Sequence, residues 1–211
     1  AHKRAMVFAA QQSAQQLPVH EYQLEAEIHH HFAMSGARHP AYGTIVGGGE
    51  NACILHYTEN DAQIDESAMV LIDAGCELQG YAADITRTFP ISGVFTPEQK
   101  AIYQLVLKAQ LSVLDQIKPG ANLKSLTEHS VKVITQGLVE LGILEGEVDE
   151  LIKDSAHRAY YMHGLAHWLG LDVHDVGQYE QAGNARPLQA GMIFTIEPGI
   201  YIDAESSCDP K

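Results

Sequence analysis

The sequence is poor in cysteine and contains no disulfide or zinc pattern. Cys53, Cys76 and Cys208 are its three cysteines among 211 residues, and they are widely separated. An odd number of scattered cysteines excludes a disulfide framework, and the absence of paired Cys and His motifs excludes a structural zinc site of the usual spacing. This usage is typical of a reducing compartment, so we expect a cytoplasmic protein.

Basic residues and long hydrophobic runs are also scarce. The chain has 13 Lys and Arg against 27 Asp and Glu, which gives a formal net charge of −14. Because phosphate binding needs clustered Lys and Arg, we expect no nucleic-acid partner. No apolar run approaches the ~20 residues of a membrane span, and the first residues have no signal-peptide pattern, so we expect no membrane association.

What the sequence does contain is 45% hydrophobic residues, arranged in alternating helical and extended patterns. The helix patterns predict five helices, at residues 1–16, 21–34, 96–117, 123–141 and 149–155. The strand patterns predict extended segments at residues 42–46, 51–57, 69–74, 81–89, 192–196 and 199–202. Helices segregated from hairpins favour an α+β fold over a doubly wound sheet.

Two aspartates adjoin predicted strands of one hairpin. Asp73 ends the segment 69–74 and Asp84 lies within 81–89. A hairpin register centred between Leu78 and Gln79 would place them directly opposite, with Cβ atoms ~4.5–5.5 Å apart. Like charges at that distance require a cation or a shared proton, and two metal ions could fit between them. A turn or surface position for one aspartate is an equal alternative from the hairpin alone.

Three histidines lie close together later in the chain. His163 and His167 form an H-x-x-x-H pair, and His174 follows seven residues later. The zinc-protease reading fails because Gly164, not Glu, follows the first histidine. The apolar residues between them predict the wall of a pocket with at least one histidine ligand, while a structural role is the alternative.

Glu197 stands at the end of the predicted strand 192–196, before Pro198 and Gly199. A carboxylate at the rigid end of a buried strand is well placed to be a metal ligand or a general base. A plain turn residue is the alternative.

The chain contains four candidate ligands in the order Asp73, Asp84, His167 and Glu197, in the contexts I-D-A-G, A-D-I-T-R-T-F, H-G-L-A-H-W-L-G and T-I-E-P-G. This pattern resembles that of the pita-bread metallopeptidases. This family includes methionine aminopeptidase, prolidase and aminopeptidase P. Residues 161–177, 54–60 and 72–77 are most similar to its proline-peptidase branch, and within it to bacterial Xaa-Pro aminopeptidase. The resemblance covers nearly the whole chain and implies an antiparallel sheet flanked by helices in two pseudo-symmetric halves.

The resemblance implies a site with two divalent metal ions, usually Mn²⁺, held by two Asp, one His and two Glu. Asp73, Asp84, His167 and Glu197 match four of these ligands, and Glu197 also matches the residue that relays a proton. His56, His163 and His174 match histidines that contact the substrate and steady the tetrahedral intermediate. The implied reaction releases an N-terminal residue from peptides with proline in the second position, and the implied parent protein is a homo-oligomer.

The sequence departs from the family at its ends. The fifth ligand, a Glu in a strand soon after the Glu-Pro-Gly segment, has no counterpart, and Glu205 is a weak substitute. The N-terminal domain of relatives is also absent, so we expect residues 1–211 to be a catalytic-domain fragment truncated at both ends, with a doubtful second metal site. Prolidase-type dipeptide cleavage and a non-catalytic peptide-binding module are the alternatives.

Overall fold

The computed structural model describes residues 1–203. Its internal contacts divide the chain into two compact units. The first unit contains Ala1–Lys100 and Leu169–Asp175, and the second contains Ala101–Trp168 and the chain from Val176 onward. Each unit has its own hydrophobic core, so each is described by itself.

The first unit consists of two helices and three small antiparallel sheets. The helices are α1 (His2–Ala14) and α2 (Glu21–Met34). The strands are β1 (Val19–His20), β2 (His39–Pro40), β3 (Ile45–Gly48), β4 (Gln63–Ile64), β5 (Met69–Asp73), β6 (Cys76–Leu78), β7 (Tyr81–Ala82) and β8 (Thr86–Pro90). They pair in the orders β3-β5-β8, β2-β6-β7 and β1-β4.

Helix α2 has the bounds that its sequence predicts. Leu24, Ile28 and Phe32 recur at helical spacing and are all buried in the core of the first unit. The helix begins with a capping box, in which the Gln23 side chain accepts from the His20 backbone N–H at 2.8 Å. Local sequence and burial therefore agree along the whole helix.

The strand predicted at residues 51–57 is wrong. A short 3₁₀ helix spans Gly49–Cys53, and the following turn brings His56 to a φ of 58°. The segment is held by side-chain hydrogen bonds, because Asn51 and Tyr57 both donate to the carboxylate of Glu21. These bonds compete with the pairing that a strand would need.

The second unit is mainly helical. Its helices are α3 (Pro97–Leu114), which begins in the last residues of the first unit, α4 (Leu123–Glu140) and α5 (Val148–Lys153), and a 3₁₀ helix spans Ala156–Ala159. A small hairpin joins β9 (Glu180–Gln181) to β10 (Asn184–Ala185). As predicted, Thr96 and Gln99 form a reciprocal capping box at the start of α3.

Helices α3 and α4 contribute to two buried clusters. Leu105 of α3 packs with Ile134 and Leu138 of α4 in one cluster, and Val113 packs with Leu126 in the other. Leu165 belongs to the second cluster, so the segment that precedes His167 is anchored in the core. Mixed helices and antiparallel strands confirm the α+β prediction. In the part of the chain that the structure describes, every helix is too short or too polar to cross a bilayer.

Candidate metal centre

Asp73 and Asp84 converge on one tyrosine hydroxyl in the first unit. The Tyr42 hydroxyl lies 2.5 Å from Asp73 Oδ1 and 3.1 Å from Asp84 Oδ1. A phenol carries one proton, so it can donate to only one of the two carboxylates at a time. Burial, followed by the charge of Asp73, raises the pKa of Tyr42, so the hydroxyl keeps that proton. The two carboxylates therefore share one neutral hydroxyl donor.

The two aspartates are not directly opposite, so the predicted register is wrong by two residues. Asp73 pairs with Thr86, and Glu77 pairs with Ala82 farther along the same hairpin. The turn lies at Gln79 and Gly80, whose φ values are 55° and 85°. Two consecutive positive φ angles characterise a type I′ turn, which centres the hairpin one residue later than predicted. The aspartates are diagonal neighbours, and Tyr42 connects them.

Gly75 allows the chain to pass closely between the two aspartates. A Cβ atom on Gly75 would lie 1.6 Å from the carbonyl oxygen of Ala83. The Ala74 N–H donates to Ile85 O, and the Ala83 N–H donates to Cys76 O, so the ladder continues on both sides of the glycine. A glycine here is a steric requirement for the position of Asp84.

His167 and Glu197 form a second pair, in the second unit. His167 Nε2 lies 3.1 Å from Glu197 Oε1. His167 Nδ1 lies 2.9 Å from the Trp168 carbonyl, which can only accept, so Nδ1 is the protonated nitrogen. In the neutral ring the lone pair is then at Nε2, directed at a carboxylate that is itself an acceptor. A proton or a metal ion between them satisfies both groups, and this tautomer suits an Nε2 ligand.

The chain around Glu197 is extended without forming the strand predicted at 192–196. Trp168 and Phe194 form an isolated antiparallel bridge, and the Thr195 and Glu197 N–H groups donate to the carbonyls of His167 and Leu165. In a regular antiparallel ladder the His167 N–H would donate to a backbone carbonyl. Here it donates to the Thr195 hydroxyl at 3.0 Å, so no regular strand forms. The second predicted strand, 199–202, is likewise absent, because these residues are in no strand.

Thr195 is a residue of the candidate site that the sequence analysis does not predict. Its hydroxyl donates to Glu197 Oε1 at 2.7 Å. Thr195 and Glu197 are two residues apart in an extended segment, so they lie on the same face. That alternation was the signal that could have found it. Tyr42 carried no such local signal, because it is 31 residues from Asp73.

His163 lies beside a further tyrosine in the second unit. The Tyr201 hydroxyl lies 3.0 Å from His163 Nε2, and His163 Nδ1 lies 2.8 Å from the Gly164 carbonyl. Because that carbonyl accepts from Nδ1, Nε2 of the neutral ring accepts from the tyrosine. A Cβ atom on Gly199 would come within 2.9 Å of His163 Nε2, so the glycine leaves room for the ring.

The remaining predicted site residues, His56 and His174, belong to the first unit and are exposed. The proposed metal ligands thus form two pairs, one in each unit. Among residues 1–203, no group of three or more His, Cys, Asp or Glu side chains is arranged to hold a metal ion. Glu205, the weak substitute for a fifth ligand, lies outside the described residues. Carboxylate oxygens and imidazole nitrogens are nevertheless donors that suit a hard or borderline divalent ion such as Mn²⁺ or Zn²⁺.

Comparison with known proteins gives the class of this chain. The sequence pattern of metallopeptidase family M24 matches residues 1–209. The chain therefore belongs to this family of metallopeptidases, and its fold is the pita-bread fold of that family. Both the predicted family and the predicted fold are confirmed.

The chain is similar in sequence and in structure to an Escherichia coli aminopeptidase. It is 57% identical to the Xaa-Pro aminopeptidase of strain K12 over 187 residues, which cover 88% of the chain and 42% of that protein. A variant of E. coli aminopeptidase P in complex with substrate superposes with a TM-score of 0.90 at 50% identity, covering 98% of this chain and 47% of that one. A zinc-substituted form in complex with product gives 0.88 at 50% identity, with 97% and 46% covered. The chain thus spans less than half the length of these relatives.

Proposed function

We propose that the protein is a metal-dependent aminopeptidase that releases an N-terminal residue preceding proline. The observation that carries this proposal is the placement of the four candidate ligands in two close pairs, Asp73 with Asp84 around the Tyr42 hydroxyl and His167 with Glu197. The family membership and the E. coli relatives support the peptidase reaction and the choice of proline peptides. Prolidase-type cleavage of dipeptides differs only in substrate length, so the experiment below includes a dipeptide.

Two divalent ions, with Mn²⁺ as the physiological metal, would be held by Asp73, Asp84, His167 and Glu197. When bound, such ions polarise the scissile carbonyl and lower the pKa of water enough for attack near neutral pH. The oxygen-rich donor set favours this assignment, and the tautomer of His167 agrees with it.

The protein side chains would handle the proton and the substrate. Glu197 accepts the proton from the attacking water through its carboxylate, which the Thr195 hydroxyl orients. His163, whose ring is set by Gly164 and Tyr201, donates to the oxygen of the tetrahedral intermediate when protonated. His56 and His174 contact the peptide, and as exposed histidines they are accessible to it.

We also propose that residues 1–211 are the catalytic part of a larger, homo-oligomeric cytoplasmic protein. The support is that the chain covers 42% of the E. coli relative. Its net charge of −14 opposes nucleic-acid binding. Size-exclusion chromatography with light scattering on the full-length gene product tests the oligomeric state.

The activity is tested by mass spectrometry on three peptides, Xaa-Pro-Yaa, Xaa-Ala-Yaa and Xaa-Pro, each with added Mn²⁺ and with an EDTA control. Release of Xaa from the first peptide alone, abolished by EDTA, is the expected result. Cleavage of the dipeptide instead would identify prolidase activity. Binding of Xaa-Pro-Yaa without cleavage would identify a peptide-binding module.

Asp84→Asn should abolish both metal binding and turnover, because it removes a charged ligand while keeping the side-chain volume. Isothermal titration with Mn²⁺ measures the first, and the tripeptide assay measures the second. Asp115→Asn is the matched control, since Asp115 is an exposed aspartate. Unchanged Mn²⁺ affinity in Asp84→Asn would show that the ligand assignment is wrong.

A further inference from the structure

The first unit buries a carboxylate for which the proposed reaction has no use. Glu21, the first residue of α2, has 0% of its surface exposed. Burying a carboxylate is costly unless hydrogen bonds compensate for the lost water. The groups that bind it therefore indicate what it holds in place.

Four donors surround the Glu21 carboxylate. Oε1 accepts from the Gly48 N–H and from Asn51 Nδ2, both at 2.9 Å. Oε2 accepts from the Tyr57 hydroxyl at 2.8 Å and from the Ala62 N–H at 3.0 Å. All four are donors, so an ionised carboxylate, which only accepts, matches the set.

These donors come from both sides of His56. Gly48 and Asn51 precede it, while Tyr57 is its immediate neighbour and Ala62 follows. Burial and the hydrogen bond to Glu21 raise the pKa of Tyr57 to about 12, so its hydroxyl remains a donor. One carboxylate thus closes the loop that carries His56, and it does so from a helix that Leu24, Ile28 and Phe32 anchor in the core.

His56 needs this support because its backbone is strained. It has a φ of 58°, a left-handed conformation that costs energy for a residue with a Cβ atom. Its side chain is exposed, and its neighbours Ile54 and Leu55 are 55% and 45% exposed, so core packing does not fix this stretch. The hydrogen bonds to Glu21 fix the chain on either side, together with those that join Asn60 to the Val46 N–H and the Thr44 carbonyl.

We propose that Glu21 is the positioning residue of His56: its buried carboxylate binds the chain on both sides of the histidine and sets the direction in which the imidazole meets the substrate. The functional part of this inference rests on the proposed aminopeptidase activity. Glu21 itself touches no substrate, and it acts through the Gly48–Ala62 loop.

A double-mutant cycle separates positioning from simple stabilisation. Glu21→Gln keeps the side-chain shape but replaces one acceptor oxygen with an NH₂ group that faces donors. In the full-length gene product we expect kcat/KM for Xaa-Pro-Yaa to fall roughly 10- to 100-fold, as misplacement of a substrate-contacting group does. In a His56→Ala background the same substitution should change kcat/KM by less than about 2-fold. An equal loss in both backgrounds would overturn the proposal.

The matched control is Glu50→Gln, which alters an exposed glutamate in the same loop and should leave kcat/KM unchanged. Tyr57→Phe is the milder variant in case Glu21→Gln unfolds, because it removes one of the four donors and keeps the carboxylate. We expect Tyr57→Phe to show a smaller loss, again confined to the background that contains His56. A loss that persists without His56 counts against the proposal.

A readout without turnover distinguishes failure of this inference from failure of the proposed function. In Glu21→Gln, NMR should show amide hydrogen exchange at Gly48 and Ala62 at least ~10-fold faster, together with shifted His56 ring resonances. If the wild type cleaves no peptide, the aminopeptidase proposal fails while these spectra still decide the positioning. Faster exchange with unchanged His56 resonances would overturn it.

Discussion

At the scale of single residues, the position of one proton is defined in each of the two proposed ligand pairs. Tyr42 brings one proton to two carboxylates, and the protonated Nδ1 of His167 leaves an Nε2 lone pair facing Glu197. In both places carboxylate oxygens lie close to a second metal-ligating group, an arrangement that a bound cation stabilises. Tyr42 and Thr195 are the side chains whose hydroxyl groups orient the proposed ligands.

Tyr42→Phe should lower both Mn²⁺ affinity and kcat by roughly 10- to 100-fold, because hydrogen-bond partners that orient metal ligands typically have effects of this size. Titration calorimetry and the tripeptide assay measure the two quantities. Tyr81→Phe is the control, since Tyr81 is 62% exposed. A rise in Mn²⁺ affinity would mean instead that the hydroxyl competes with the metal for the carboxylates.

At the level of elements, the hairpin of β5 to β8 determines where both aspartates lie. Its arms share one continuous register, from the Met69–Pro90 pair to the Leu78–Tyr81 pair. Gly75 lets the arms approach where a side chain would collide with Ala83. The spacing of Asp73 and Asp84 is thus a property of backbone pairing.

Gly75→Ala should destabilise the protein by about 3 kcal/mol or more, since the new methyl group would overlap backbone atoms that cannot move as a side chain can. Thermal and urea unfolding measure the change. Gly164→Ala is the stability control, because a Cβ atom there meets nothing within 4 Å. A wild-type unfolding midpoint for Gly75→Ala would show that the hairpin arms can separate at no cost.

At the scale of the whole molecule, ionisation couples stability to pH. His2 is buried, with its Nε2 atom lacking a hydrogen-bond partner among the described residues. Burial lowers the pKa of His2 to about 4, and the charges of the N-terminal amine and of Arg87 act in the same direction. Between pH 6.5 and 4 the unfolded chain therefore binds a proton that the folded chain excludes.

The contribution of His2 to stability should be complete above pH 6.5 and should decrease as the pH falls toward 4. Relative to His2→Leu, the wild type should lose roughly 2 kcal/mol between pH 7.5 and 4.5. Urea unfolding of both proteins at each pH gives the difference between their free energies of unfolding. The carboxylates are the same in both proteins, so their contribution cancels in this difference. His30→Gln, at an exposed histidine, should retain the wild-type pH dependence. Parallel curves for wild type and His2→Leu would contradict the assignment.

Helix positions and the family could be predicted from the sequence, but side-chain pairing could not. The bounds of α2 follow from Leu24, Ile28 and Phe32 because burial and helical spacing are both local. The strand predicted at residues 51–57 is wrong because the conformation of this segment depends on Glu21, which lies 30 residues before Asn51. The hairpin register was misplaced because Gln79, a residue with a Cβ atom, adopts a positive φ. The roles of the proposed metal ligands stay predictions, to be tested by the variants above.

The hairpin also limits how this gene can change in length. Residues inserted between Gln79 and Gly80 would lengthen an exposed loop and leave both arms paired as they are. One residue inserted between Asp73 and Leu78, or between Tyr81 and Asp84, would turn the following side chains to the opposite face and separate the aspartates. Insertions and deletions among homologues should therefore collect at the tip and be absent from the arms.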